Sequence, residues 1–165
     1  GSFWMSFTPW SAQPRFSYTI TANPYQNIGY NGTTVTASQN FNGPGYTTGT
    51  ISLKFTPSAT FVLNSGGAAS PGPAHISFRV TVYLKNHYTG VQTTLYQQSA
   101  SAEVGSPWSP GQQSIDVTSL LSAIPAGYGV ACVIDNIYIH DYNGSNADSN
   151  SYTGTIDVTG FELIF

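Results

Sequence analysis

Between residues 74 and 85 the chain alternates with a period of two. Ile76, Phe78, Val80, Val82 and Leu84 are apolar, and the positions between them are His75, Ser77, Arg79, Thr81, Tyr83 and Lys85. Successive side chains of a strand point to opposite faces, so this run is a strand with one dry face and one wet face. The same period recurs at residues 15–21, through Phe16, Tyr18 and Ile20, and at residues 50–55, through Ile51, Leu53 and Phe55. Residues 152–165 form a further β-rich stretch, interrupted at Gly160. One-sided strands must hide their dry faces against one another. The pattern predicts an all-β fold, an antiparallel β-sandwich.

The turn chemistry agrees. Asn86-His87-Tyr88-Thr89-Gly90 separates two β-rich runs and predicts a hairpin with Gly90 at positive φ. Asn31-Gly32, Asn42-Gly43 and Asn143-Gly144 are further turn signals. The only helical signal is one short turn, residues 119–123, capped by Asp116 or Thr118 and stopped before Pro125. If each connection reverses the chain, loops 41–49, 64–74, 99–112 and 142–151 share one end of the sandwich. Loops 86–90 and 118–126 then share the other. Long loops gathered on a rigid scaffold are where binding sites are built, so the first end is the candidate site.

Residues 127–141 break the one-sided rule. Val130, Cys132, Ile134, Asn136, Tyr138 and His140 would lie on one face, and Ala131, Val133, Asp135, Ile137 and Ile139 on the other. A strand apolar on both faces predicts a cover on its outer side, such as a second subunit.

Composition narrows the function. Only 7% of residues are charged, against about 25% in an average chain. The 20 Ser, 19 Thr, 11 Asn and 8 Gln make 58 neutral polar residues. Four basic residues and a net charge of −3 exclude phosphate-backbone neutralisation, so no nucleic-acid partner is expected. No apolar run reaches the roughly 18 residues of a membrane span. Cys132 has no partner for an intrachain disulfide or a thiolate cluster, and its apolar setting predicts a buried, inert thiol. Residues 15–165 read as one domain. Residues 1–14 read as an N-terminal segment in which Gly1-Ser2 looks like a tag remnant and the rest connects to a stalk or parent chain.

The catalytic inventory is thin, and no enzyme is expected. No Gly-x-Ser-x-Gly elbow, His-Glu-x-x-His or phosphate-binding loop occurs. His75, His87 and His140 are scattered along the chain. Glu103 and Asp135 could form a glycosidase pair, although a hydrogen-bonded structural role fits Asp135 better. Sugar recognition uses what this chain has in excess, namely flat aromatic faces, amides and hydroxyls. Trp108, between Pro107 and Pro110, is the best stacking platform, and its alternative role is to plug the sandwich. Tyr46 and Tyr142 share the candidate end with Asn143, Asn146 and Asp148, which could hydrogen-bond a ligand directly. The stretch 141–148 is also the densest set of hard oxygen ligands, the chemistry calcium takes, without EF-hand spacing. No other cofactor is expected.

The order of elements resembles the jelly-roll heads of trimeric fibres and of the tumour-necrosis-factor and complement-globular-head superfamily. Residues 75–82, 128–142 and 151–165 carry this resemblance, the last ending in Gly160-Phe161-Glu162-Leu163-Ile164-Phe165. It covers about half of the chain and consists of pattern, so no family site residue transfers. It implies a jelly roll, a homotrimer, and recognition of a cell-surface glycan or glycoprotein from a fibre or virion, outside the cell. A monomeric carbohydrate-binding module of a secreted polysaccharide-degrading enzyme, or a structural capsid or appendage jelly roll, are the alternatives.

Overall fold

The alternating run forms strand β5 (His75–Asn86), which turns through residues 87–91 into β6 (Gln92–Glu103). A computed structural model of the chain describes residues 5–6, 15–22, 34–42, 49–65, 74–121, 127–140 and 150–164. Outward from this hairpin the pairs are nested. Strand β4 (Ser52–Ser65) pairs with β7 (Gln113–Asp116), and β3 (Val35–Asn42) with β8 (Gly127–His140). Strand β2 (Arg15–Ala22) then pairs with β9 (Asn150–Ile164). All are antiparallel, so the chain is one long ribbon folded at the hairpin tip. Two cross-pairings, β4 with β9 and β5 with β8, roll that ribbon up.

The result is a sheet A ordered β2-β9-β4-β7 facing a sheet B ordered β3-β8-β5-β6. This is the jelly roll that the resemblance implies. A short β1 (Met5–Ser6) also pairs with β9, through Leu163 and Glu162.

The core lies between the sheets. Ile51, just before β4, and Leu53, Phe55, Ala59 and Phe61 of β4 line the core with Ile76, Phe78, Val80 and Val82 of β5, all buried. Stacked rings of Phe61 and Tyr152, and of Phe55 and Phe161, lie 4.9 and 5.2 Å apart. Tyr96 of β6 meets Phe55 edge-on at 5.2 Å and ties the two sheets together. Cys132 is fully buried among them, and burial pushes its thiol up to about 12, which keeps it inert at neutral pH.

Two bulges set which residues face that core. Opposite Ser77 and Arg79 of β5 stand Tyr138 and Asp135, so β8 carries one extra residue there. Asn136 takes φ 51, the left-handed region. The phase then slips: Tyr128, Val130, Cys132 and Ile134 are buried before the bulge, and Ile137 and Ile139 after it. This corrects the reading of β8 as apolar on both faces. Its buried apolar residues share one dry face whose parity changes once, which moves Ile137 and Ile139 inward and leaves Ala131 and Val133, half-buried, as the apolar residues of the outer face before the bulge. In β9 the same device sits at Gly160, φ 69, where the register against β4 shifts between Lys54 and Thr56. Inward positions change there from Tyr152, Ile156 and Val158 to Phe161 and Leu163. The predicted interruption at Gly160 is this bulge.

The short helix α1 (Thr118–Leu121) is found as predicted. The Asp116 carboxylate accepts from the Thr118 backbone N–H at 2.9 Å and from its hydroxyl at 2.6 Å, which lowers the Asp116 pKa. Thr118 Oγ1 in turn accepts from the Ile51 N–H at 2.8 Å. Gly90 has φ 74, as its hairpin position requires.

One loop assignment is corrected. Asn42 pairs with Gly127, and Ile51 bonds to Thr118, so both roots of the loop carrying Tyr46 stand with the β5–β6 hairpin tip and α1. Strand β4 runs unbroken from Ser52 to Ser65, and loops at the two ends of a single strand face opposite ways. Loops 41–49 and 64–74 therefore cannot share an end.

Gly154 faces inward from β9, where a Cβ would sit 2.5 Å from Ile76 Cδ1 and 3.5 Å from Phe61 Cδ1. The sheets approach here too closely for a side chain. Gly154→Ala is expected to lower unfolding stability by about 2 kcal/mol through overpacking. Chemical denaturation reads this as a lower midpoint at unchanged slope.

Candidate ligand-binding site

The long-loop end can be placed from its roots. Ser65 pairs with Ser151, His75 with both Glu103 and His140, and Ala22 with Asn150. The connections 66–74 and 141–149 and the turn at 103–106 are thus rooted at one end, the end predicted for loops 64–74, 99–112 and 142–151. Tyr142, Asn143, Asn146 and Asp148, and with them the calcium proposal for 141–148, lie outside the described residues, as does Tyr46. Among the described residues no group of three His, Cys, Asp or Glu could hold a metal ion.

Trp108 is described, and its position differs from the expected loop tip. Residues Glu103 and Ser106 exchange backbone hydrogen bonds of 3.0 Å in a tight turn, after which the chain runs back along the edge of β4. Strand β7 covers that edge only at Ser52–Phe55. Pro57 follows, with no N–H to offer a partner. Ala59 and Trp108 then bond each other twice, N–H to carbonyl, at 2.9 and 3.0 Å. The indole lies half-buried and edge-on to Phe78 of the other sheet, with centroids 5.2 Å apart. Trp108 therefore closes the flank of the sandwich midway along β4 and keeps part of its ring in solvent. The packing is that of the plugging role, with part of the indole left exposed.

Two of the three histidines come together in space. His75 and His140 are direct cross-strand partners, and their rings stack at 4.5 Å with 21° between planes. Tyr138 continues the stack, its ring 6.0 Å from that of His140. Ser77 Oγ lies 3.4 Å from His140 Nε2. Burial, and then the neighbouring His75, hold the His140 pKa below its usual value. No sequence signal links these two residues. Only the pairing of β5 with β8 brings them together, which is why sequence reasoning missed them. His87 stays at the hairpin tip, its Nε2 3.0 Å from Asn40 Oδ1.

Two rows further along the same outer face, Arg79 Nε and Nη2 donate to the two Asp135 oxygens at 2.9 and 2.7 Å. Hydrogen bonding to Asp135 and its charge raise the Arg79 pKa. With both oxygens engaged, Asp135 has the hydrogen-bonded structural role expected of it, which fits neither a glycosidase acid nor a nucleophile. Glu103 is exposed at the end of β6.

No protein-family model matches this sequence, and no curated protein does. Among solved structures, a non-crystalline cellulose specific carbohydrate-binding module is similar at 8% identity and a TM-score of 0.38. That match covers 88% of this chain and 74% of the other. A chain from infectious bursal disease virus, Gx strain, matches at 15% identity and a TM-score of 0.33, over 91% of this chain and 41% of its own length. The VP2 subviral particle of the same virus gives 16% and 0.32, over 91% and 39%. The chain thus spans about two fifths of those viral chains. At these values the matches assign no family and no function.

Two outcomes follow from the geometry. Trp108→Ala is expected to lower stability by about 2 kcal/mol, roughly half the cost of deleting a fully buried Trp, in a denaturant titration. His140 binds its proton less readily folded than unfolded, so the unfolded state holds more protons just below pH 6.5. Stability should therefore fall as pH drops from the unfolded value through the lower folded one. His140→Gln should flatten that part of the profile of denaturation midpoint against pH.

Proposed function

We propose that the chain is a non-catalytic receptor-binding head that recognises carbohydrate outside the cell, carried on a fibre or virion. The observation that carries this reading is the gathering of loop roots at one end of a rigid jelly roll. Loops 66–74 and 141–149 are rooted there, the second carrying Tyr142, Asn143, Asn146 and Asp148, while Trp108 stands on the flank midway along β4 as a further proposed contact. Their roots are fixed by strand pairing, so loop side chains start from a scaffold that loses little freedom on binding. The chain's surplus of hydroxyls and amides suits a ligand that offers many hydroxyls and little charge. Tyr46, rooted at the opposite end, belongs to this site only if its loop reaches around the sandwich. Calcium held by the oxygen groups of 141–148 is part of the same proposal.

The assembly is proposed as a homotrimer, after the fibre heads that the order of elements resembles. A specific observation favours a second reading, a monomeric carbohydrate-binding module: the Asn136 bulge turns Ile137 and Ile139 into the core, which leaves only the small Ala131 and Val133 on the outer face of β8 before the bulge for a partner to cover.

Light scattering at micromolar concentration separates the two. The head reading expects a mass near three times 17.6 kDa, and the module reading expects 17.6 kDa. Both expect binding on a glycan array that Trp108→Ala weakens at least tenfold, measured at a temperature where the variant remains folded. Stable assembly with no glycan bound, with and without added calcium, would overturn both and leave a structural jelly roll.

A further inference from the structure

We propose that the outer face of sheet B around the Asn136 bulge is a binding subsite for a neutral oligosaccharide. Tyr138 is its stacking platform, and Arg79, Asp135 and Asn136 are its hydrogen-bonding groups. The inference rests on carbohydrate recognition as the function and adds the outer strand face of sheet B to the loops and to Trp108.

Three observations converge on this patch. The first is the bulge itself. Asn136 is exposed at φ 51, and among the described residues no other non-glycine residue has positive φ. Bulges re-aim side chains, and here the extra residue sets Asp135 and Asn136, two consecutive polar groups, outside the buried face that resumes at Ile137. The second is the ion pair. Arg79 and Asp135 hold each other bidentately and keep 35% and 23% of their side-chain surface exposed. The guanidinium has five N–H donors and uses two here, and each carboxylate oxygen can accept again. The pair presents donors and acceptors in a fixed fork while its charges cancel. Such a surface complements a ligand rich in hydroxyls and without net charge, because an anion would meet Asp135 and a cation Arg79.

The third observation is the aromatic row. Tyr138 lies in register with Ser77, which is itself in register with Ser101 of β6, and its ring continues into His140 and His75. Flat rings beside a line of hydroxyls suit the apolar face and the rim of a pyranose. These groups stand on paired strands, so their spacing is set before any ligand arrives.

The test is a titration of the folded chain with cellohexaose, mannohexaose and chitohexaose, followed by amide ¹H–¹⁵N spectra. A sialylated trisaccharide and a heparin hexasaccharide serve as charged probes. We expect a neutral hexaose to shift the amides of Ser77, Asn136 and Tyr138. Tyr138→Ala should weaken that binding at least tenfold, and Tyr138→Phe should keep most of it. Asn136→Gly keeps the left-handed backbone and removes only the amide, so it tests the patch without threatening the fold; a loss of several-fold is expected. Neutral binding lost in Trp108→Ala but unchanged in Tyr138→Ala and Asn136→Gly would overturn the subsite and leave the carbohydrate function standing. Preference for a charged probe at this patch would overturn the neutral ligand class. No shift with any sugar would overturn the subsite and the carbohydrate reading together.

Discussion

Strands as long as β8 and β9, 14 and 15 residues, must keep one face dry along their whole length while crossing a gap filled from both sides. A period of two is unforgiving, since a slip of one residue turns every later side chain over. Here the slip is written into the sequence and absorbed by the backbone. Asn136 and Gly160 each take up one residue in the left-handed region, and the inward set resumes with Ile137 and Phe161. Without those two resets the second half of each strand would turn its apolar residues to water. The stacked pair Phe55–Phe161, and through Phe55 the contact with Tyr96 that ties the sheets, depends on the reset at Gly160.

This constraint explains what could be read from sequence. The run at residues 74–85 is uninterrupted alternation, and it identifies β5, its dry face and its hairpin, while Thr81 on the expected wet face is buried under the Gln97 amide that donates to it. The break at Gly160 was legible because glycine marks it. The break at Asn136 was not, because an asparagine within an apolar run reads as one more outward residue, and the strand then looked apolar on both sides. Strand β3 was illegible for a different reason: Val35, Ala37 and Gln39 are only partly buried at the sheet edge, leaving Phe41 as its one large anchor. The loop parity fails at β4, whose single span from Ser52 to Ser65 puts loops 41–49 and 64–74 at opposite ends.

The proposed site rests on chemistry more than on place. Surplus hydroxyls and amides, scarce charge and a proline-flanked tryptophan all point to an uncharged ligand before any fold is known. Where these groups meet is a matter of strand register, on which composition is silent. His75 and His140 are neighbours only because β5 and β8 pair, and Arg79 finds Asp135 only because the β8 bulge sits between that row and the next. In a chain with so few charges this bidentate pair is conspicuous. It lies partly exposed, where ion pairs contribute little to stability, so fixing the local geometry is the more substantial thing it does.

The nested ribbon has a consequence for how the molecule comes into being. Strand β9 lies in the interior of sheet A, between β2 and β4, and its partners precede it by most of the chain. Contacts so distant along the backbone make for slow folding, because the entropy of closing large loops must be met before the contacts can reward it. During N-to-C synthesis the hairpin of β5 and β6 can close early, while β2 and β4 wait with a vacant slot between them. Until Asn150–Ile164 emerge, the chain carries two unsatisfied strand edges and an open apolar layer, the features that invite pairing with another chain. The stage at which this protein is most exposed to misassembly is therefore set by its topology, and it ends when β9 slides in.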